Sequence, residues 1–256
     1  MIQLPSEPKV VSSEGNKATF EIAPLYPGYG VTMGNVLRRI LISSIEGAAI
    51  TAIKIKGVDH EFSAIPGILE DVIQIIINLK KVRFRLQSDE PVVLFISTKG
   101  KRAVTAQDIK TKADVEVVNK DQHIATIAEN KTEFEAELRI ERGVGYVPVE
   151  LRHKEKLTVG EIAIDGIFTP ITNVNFTVEN IRVGQRTDFN KILMDVETDG
   201  SMSPEAALHR AAEILLEHVK AIMGSKSQSQ KAEQDCESDL EEKEKPAKAK
   251  KTKKKA

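Results

Sequence analysis

Short runs in which apolar and polar residues alternate recur along most of the chain. In "ATFEIAP", Ala18, Phe20 and Ile22 share one face. In "AITAIKIKGVD", Ile53 and Ile55 face one way while Lys54 and Lys56 face the other. A period of two is what a half-buried strand requires. "VVLFIST", "DVEVV", "HIATIA", "FEAELRIE", "EIAIDGIFTP" and "ITNVNFTVENIRV" are further candidates, with polar turn residues between them. Many short strands of this kind predict antiparallel sheets.

Three segments break the period of two and predict helices, which makes the fold class α+β. The first is Gly34–Ile45. The second is Glu70–Lys81, "EDVIQIIINLKK", whose β-branched residues favour a strand but whose length and lack of alternation favour a helix. Its leading acids and closing lysines complement a helix dipole. The third is Pro204–Met223, with Ser203 as N-cap, Pro204 in the first turn and Gly224 closing it.

Spacing also divides the faces of the first and last helices. At about 100° per residue, Met33, Val36, Leu37, Ile40, Leu41, Ser44 and Ile45 form one broad apolar arc. Asn35, Arg38, Arg39 and Ile42 take the other side, with Ile42 between the two arginines. An isoleucine flanked by arginines resembles an interface anchor, and it equally fits a surface helix with one stray apolar residue. On the last helix Leu208, Leu215 and Ile222 recur every seven residues, and Ala211, Ala212 and Val219 widen the stripe. Small residues there admit a close neighbour, either the chain's own sheet or a partner helix.

Composition changes the picture at one place. After Met223 the chain turns hydrophilic, and 225–256 holds ten lysines and seven acids, net +3. With almost nothing apolar to bury, this stretch is expected to be a disordered Lys/Glu-rich tail. The whole chain is −1 over 256 residues, so the body is mildly acidic and lacks the signature of a polyanion binder. No apolar run reaches the roughly 20 residues of a membrane span. "MIQLPSEPKV" lacks a basic region followed by an apolar core, so secretion is not expected. The single cysteine, Cys236, excludes an internal disulfide and fits a reducing cytoplasm.

Candidate chemistry is sparse. Gly28, Gly30 and Gly34 give G-x-G-x-x-x-G ahead of a helical run, one residue off a dinucleotide fingerprint. Pro24 and Pro27 precede it where that fingerprint needs a buried parallel strand. A tight entry turn into a helix is the better reading. The alternative, a nucleotide-dependent oxidoreductase using this loop, would show saturable nucleotide binding at micromolar levels. The five histidines lack metal-ligand spacing. Asp195 and Glu197, two apart on one strand face, read more readily as a solvent-facing pair than as metal ligands. Neither a catalytic residue nor a cofactor is assigned to this chain. A stand-alone nucleic-acid binder acting through the Lys-rich tail is the other alternative, opposed by the tail's acids. Any DNA contact there would run through phosphates without sequence preference.

Six separated blocks carry a resemblance. They are "LYPGYGVTMGNVLRRILISSIEGAAI", "GVDHEFSAIPGILEDVIQIIINLK" (57–80), "VTAQDI" (104–109), "RGVGYVP" (142–148), "VGQRTDFNK" (183–191) and "ETDGSMSPEAALHRAA" (197–212). Over about 8–224 the chain resembles the bacterial RNA polymerase alpha subunit family. The resemblance implies a discontinuous dimerisation subdomain, 1–48 with 170–224, and an inserted mostly-β subdomain, 49–169. It implies a homodimer that assembles the beta and beta-prime subunits of a nucleotidyltransferase whose catalytic aspartates and metal belong to beta-prime. Carried over residue by residue, Val36, Leu37, Ile40 and Leu41 with Leu208, Ala212, Leu215, Val219 and Ile222 fall on the two dimerisation helices. Arg38 and Arg39 match the paired arginines that contact beta, with Ile42 and Ser43 on the same helix. Lys80 and the run Gln185, Arg186, Thr187 and Asp188 match segments placed near beta-prime. The family usually continues into a linker and a small DNA-binding helical domain. Here the Lys-rich tail stands in that place, so no upstream-element or activator role is carried over.

Overall fold

The computed structural model describes residues 4–152 and 160–244, with side chains as far as Gly224. The chain opens with β1 (Lys9–Glu14), β2 (Lys17–Leu25), α1 (Tyr29–Ser43), β3 (Glu46–Ile55), α2 (Val72–Leu79), β4 (Phe84–Leu86) and β5 (Val92–Lys99). Short strands follow: β6 (Ala103–Thr105), β7 (Ile109–Lys110), β8 (Val115–Val117) and β9 (His123–Thr126). Then come β10 (Glu133–Val144), β11 (Tyr146–Val147), β12 (Ile162–Ala163), β13 (Gly166–Ile167), β14 (Ile171–Val183), β15 (Arg186–Thr198) and α3 (Pro204–Glu244). The α+β class holds, with mostly antiparallel strands and three α-helices among the described residues.

Residues 4–211 contain two main sheets, each with its own apolar cluster. The four-stranded sheet runs β1-β2-β15-β14 and joins the two ends of this region. Ala18, Phe20 and Ile22 of β2 and Ile192, Met194 and Val196 of β15 line its buried side, with Leu37 and Leu41 of α1 and Ala207, Leu208 and Ala211 of α3 packed on them. Asp195 and Glu197 therefore take the other face, and Thr19 Oγ1 donates to Asp195 at 2.6 Å. The three apolar residues of β15 share their face cleanly, because side chains alternate along a strand and the acids fall at the intervening positions.

The seven-stranded sheet follows the path β7-β5-β10-β3-β4-β8, with β12 also on β3. Alternation in β5 and β10 buries Leu94, Ile96, Phe134, Ala136, Leu138 and Ile140 beneath α2. Lys54 and Lys56 point outward as expected, while Ile53 and Ile55 are buried.

Three helix boundaries differ from the pattern. α1 begins five residues before Gly34, at Tyr29. α2 is shorter than Glu70–Lys81, because Asp71 is already extended and Glu70 is held elsewhere. α3 runs through Gly224 to Glu244. One glycine costs a helix only about 1 kcal/mol and does not by itself end it. The expected tail thus carries helical backbone as far as Glu244, and 245–256 lie outside the described residues.

Candidate functional site

The glycine run is part of a helix and its packing. Gly28 is the N-cap of α1 at φ 85°, a left-handed conformation that favours glycine. No side chain of the helix itself caps it. Asn190, on β15, does so from 162 residues away: the Gly28 and Gly30 amides donate to its Oδ1 at 2.8 and 3.3 Å. The Asn190 Nδ2 donates in turn to Asn180 Oδ1 at 3.0 Å. Two of the amides that a phosphate would need are thus engaged inside the protein.

Gly30 and Gly34 face the β14–β15 hairpin. A Cβ on Gly30 would lie 2.6 Å from Val178 Cγ1, and one on Gly34 would lie 2.5 Å from the Phe176 ring. Gly34→Ala is expected to lower stability by about 1–3 kcal/mol through overpacking, despite alanine's better helix propensity. Gly224→Ala, where no atom lies within 4 Å, is expected to be neutral or stabilising. Urea unfolding at one fixed chain concentration checks both.

The arcs of α1 separate as the spacing predicts. Leu37 and Leu41 are buried in the chain's own core, Val36 and Ile40 are half-buried, and Arg38, Arg39, Ile42 and Ser43 are exposed. Among the described residues neither arginine forms an ion pair, and Ile42 stands between them at 43 % exposure. The Ser43 hydroxyl donates to the Arg39 carbonyl at 2.7 Å.

On α3 the seven-residue stripe changes surroundings along its length. Leu208 is buried in the four-stranded layer. From Ala212 onward the helix is a separate unit. There Ala212 is exposed and Leu215 half-buried, while Leu216, Val219, Ile222 and Met223 expose 51, 44, 75 and 68 % of their surface. Sequence spacing singled out Val219 and Ile222 but missed Leu216 and Met223, which lie off the stripe.

Lys80 caps the C-terminal end of α2 and pairs with Asp165 at 2.9 Å. The Lys80 ammonium holds the Asp165 carboxyl below its usual range, helped by the Val149 amide and opposed by burial. The pair borders an open groove of about 410 Å3 with Phe62, Ile73, Ile76 and Ile77 on its walls. Sequence reasoning had no signal for Asp165, which lies 85 residues from Lys80.

Glu70 braces the segment before α2. Its carboxylate accepts from the Thr126 amide at 2.6 Å and the Thr126 hydroxyl at 2.9 Å, and it pairs with His123 at 2.9 Å. Burial is the largest single influence and opposes ionisation. The bonds from His123 and Thr126 together outweigh it and hold the carboxyl below its ordinary value. A depressed folded-state pKa contributes stability above the unfolded value, about 4.3 for glutamate. That contribution is lost as pH falls through the lower folded value. Glu70→Gln should therefore lower the melting temperature at neutral pH, and the two proteins should converge in acid. A gap that persists unchanged well below the glutamate range would contradict this.

The run Gln185, Arg186, Thr187 and Asp188 occupies the tip of the β14–β15 hairpin, where Gly184 at φ 65° begins the turn. All four are exposed. The Arg186 fork binds both Asp188 oxygens, at 3.0 and 2.7 Å, and lowers the carboxyl's pKa. The same guanidinium lies 5.7 Å from the centre of the Tyr26 ring and 5.4 Å from that of Phe189, a cation–π arrangement that fixes its orientation. The tip is thus built from both ends of the chain, with Tyr26 leading into α1. Among the described residues no hydrogen bond or ion pair joins Lys80 to this tip.

No helix among the described residues is long and apolar enough to cross a membrane.

The sequence is similar to those of known proteins. A family model described as the RNA polymerase Rpb3/RpoA insert domain matches residues 53–169. The DNA-directed RNA polymerase subunit alpha of Desulforudis audaxviator (strain MP104C) is 49% identical over 211 residues, which cover 82% of this chain and 67% of that protein. The subunit from Roseiflexus sp. (strain RS-1) is 46% identical over 225 residues, 88% of this chain and 69% of its own length. That of Roseiflexus castenholzii (strain DSM 13941 / HLO8) is 49% identical over 214 residues, 84% of this chain and 66% of its own. Identity at this level over more than four-fifths of the sequence shows that the chain belongs to the family of DNA-directed RNA polymerase alpha subunits.

Proposed function

We propose that this chain forms a homodimer on which the beta and beta-prime subunits of a DNA-directed RNA polymerase assemble. It supplies no catalytic group, metal site or cofactor of its own, and it works in the cytoplasm. The observation that carries this reading is the exposed apolar run on α3, Leu216, Val219 and Met223, in a chain related to alpha subunits over more than four-fifths of its length. Large exposed apolar residues grouped on one helix favour a protein partner.

In this reading Val36, Ile40, Ala212, Leu215, Val219 and Ile222 meet the second copy, and buried Leu37, Leu41 and Leu208 support them from within. Arg38, Arg39, Ile42 and Ser43 face beta. Lys80 and Gln185 to Asp188 face beta-prime. The four-stranded sheet with its helices is the dimerisation subdomain, 1–48 with 170–224, and 49–169 is the inserted one. Reconstitution tests the whole reading. Purified beta and beta-prime should make RNA from a DNA template only when this chain is added, and the chain alone should make none. RNA synthesis of equal rate without the chain would overturn it.

A further inference from the structure

Two of the blocks that carry the resemblance, 142–148 and 197–212, are only partly accounted for by the surfaces above. The structure puts both at the junction between the two sheets. The chain passes between the layers twice, at Ile45–Glu46 into β3 and at Thr169–Pro170 into β14. Two crossings side by side would by themselves allow one layer to swing on the other.

Two features oppose that motion, one at the second crossing and one between the layers. The first is Phe168, which is 5 % exposed, belongs to neither apolar cluster and anchors the second crossing on the insert side. Three glycines make room for it. A Cβ on Gly143 would lie 2.8 Å from the Phe168 ring and one on Gly166 2.5 Å from it; on Gly47 it would lie 1.9 Å from the Phe168 carbonyl oxygen. The Phe168 amide also donates to the Gly145 carbonyl at 2.9 Å. The residues of "RGVGYVP" therefore receive an aromatic wedge from the segment that leads out of the insert.

The second feature lies at the β4–β8 edge of the seven-stranded sheet. Arg83 and Arg85, either side of Phe84, reach the turn that follows β15. Arg83 pairs with Asp199 at 3.6 Å, and Arg85 Nε donates to the Ser201 carbonyl at 2.9 Å. The turn is itself braced, since Asp199 Oδ1 accepts from the Ser201 amide and hydroxyl at 2.9 and 2.6 Å. Gly200 is also closely packed: a Cβ there would lie 3.2 Å from Val118 Cγ1. A guanidinium making directed bonds to backbone carbonyls fixes orientation better than a point charge would.

We propose that the Phe168 anchor at the second crossing, with the Arg83–Asp199 ion pair and the Arg85–Ser201 hydrogen bond between the layers, forms a two-point clasp that holds the insert at one angle to the four-stranded sheet. These are positioning residues. Their purpose rests on the assembly reading, because a fixed angle keeps Lys80 and the hairpin tip Gln185 to Asp188 at one separation before a large subunit arrives. Preorganisation of this kind lowers the ordering cost of binding.

The test measures angle and assembly separately in the full-length dimer. Spin labels are placed at Ser13→Cys and Lys101→Cys in a Cys236→Ser background, with dimers formed in excess unlabelled chain. A narrow inter-label distance distribution is expected for the native junction. The double variant Arg83→Ala, Arg85→Ala should broaden it while the dimer stays folded, and beta-prime capture should slow several-fold. Arg83→Lys, Arg85→Lys should recover part of both. Phe168→Leu should broaden it as well, and if that variant fails to fold, the arginine pair still decides. A distribution equally narrow in the folded double-alanine variant overturns the clasp. If native dimers capture no large subunit, the assembly reading fails, and the distance measurement still judges the clasp by itself.

Discussion

A Leu215→Asp chain is expected to sediment as a monomer, or to aggregate, under conditions where the wild type sediments as a dimer. The reason lies in how α3 divides its apolar residues. Leu208 and Ala211 are used by the chain's own core. Farther along, Leu215 is half-buried and flanked in sequence by Leu216, with Val219 and Met223 exposed beyond it. An obligate dimer interface buries on the order of 2,000 Å2 or more, and this stretch supplies apolar area suited to it. In a two-fold dimer the same residue enters the seam from both copies, so the substitution places two unpaired charges there. Each costs on the order of several kcal/mol when desolvated. Circular dichroism should show helix and sheet retained, because Leu215 lies outside both apolar clusters. A tight dimer in the variant would sink the assignment of this face.

Arg39→Ala is expected to leave a folded dimer with near-normal melting and to weaken capture of beta by roughly 2–4 kcal/mol, the scale of an interface hot spot. Arg39 is exposed on the side of α1 opposite Leu37 and Leu41, and its guanidinium holds no ion pair among the described residues. Removing it therefore disturbs no internal contact of that kind. Arg39→Lys should restore only part of the loss, since the charge remains but the planar fork does not. Pull-down of beta with the dimer state checked by sedimentation reads both halves. Equal capture by Arg39→Ala would make the outward face merely solvated. Dissociation to monomers would mean that the faces of α1 are assigned wrongly.

Much of this arrangement was legible because it depends on neighbours in sequence. Leu37 and Leu41 sit one helical turn apart, so spacing alone separates them from Arg38 and Arg39. Lys54 and Ile55 alternate, so their faces follow from a period of two. What escaped the pattern depends on distant partners. The start of α1 was placed too late because its cap is Asn190 rather than a local side chain. Glu70 looked like a dipole-complementing helix residue, but Thr126 and His123 draw it out of the helix. β15 showed only its Asp195–Glu197 spacing in advance, since Ile192, Leu193 and Met194 form a continuous apolar run and Arg186, Thr187 and Asp188 are all exposed. The edge strand β1 is exposed at every position and has no apolar period to detect. For the surfaces proposed to meet beta, beta-prime and the second copy, the residues were named by resemblance. The structure adds their exposure and their internal partners.

The claim that this chain is a dimeric platform is tested most directly by the native mass of the complex it forms with purified beta and beta-prime. The account predicts one species containing two copies of this chain with one beta and one beta-prime, formed through a dimer of the chain that exists before either large subunit is added. A stable complex holding a single copy, or large subunits that associate fully without it, would contradict the account.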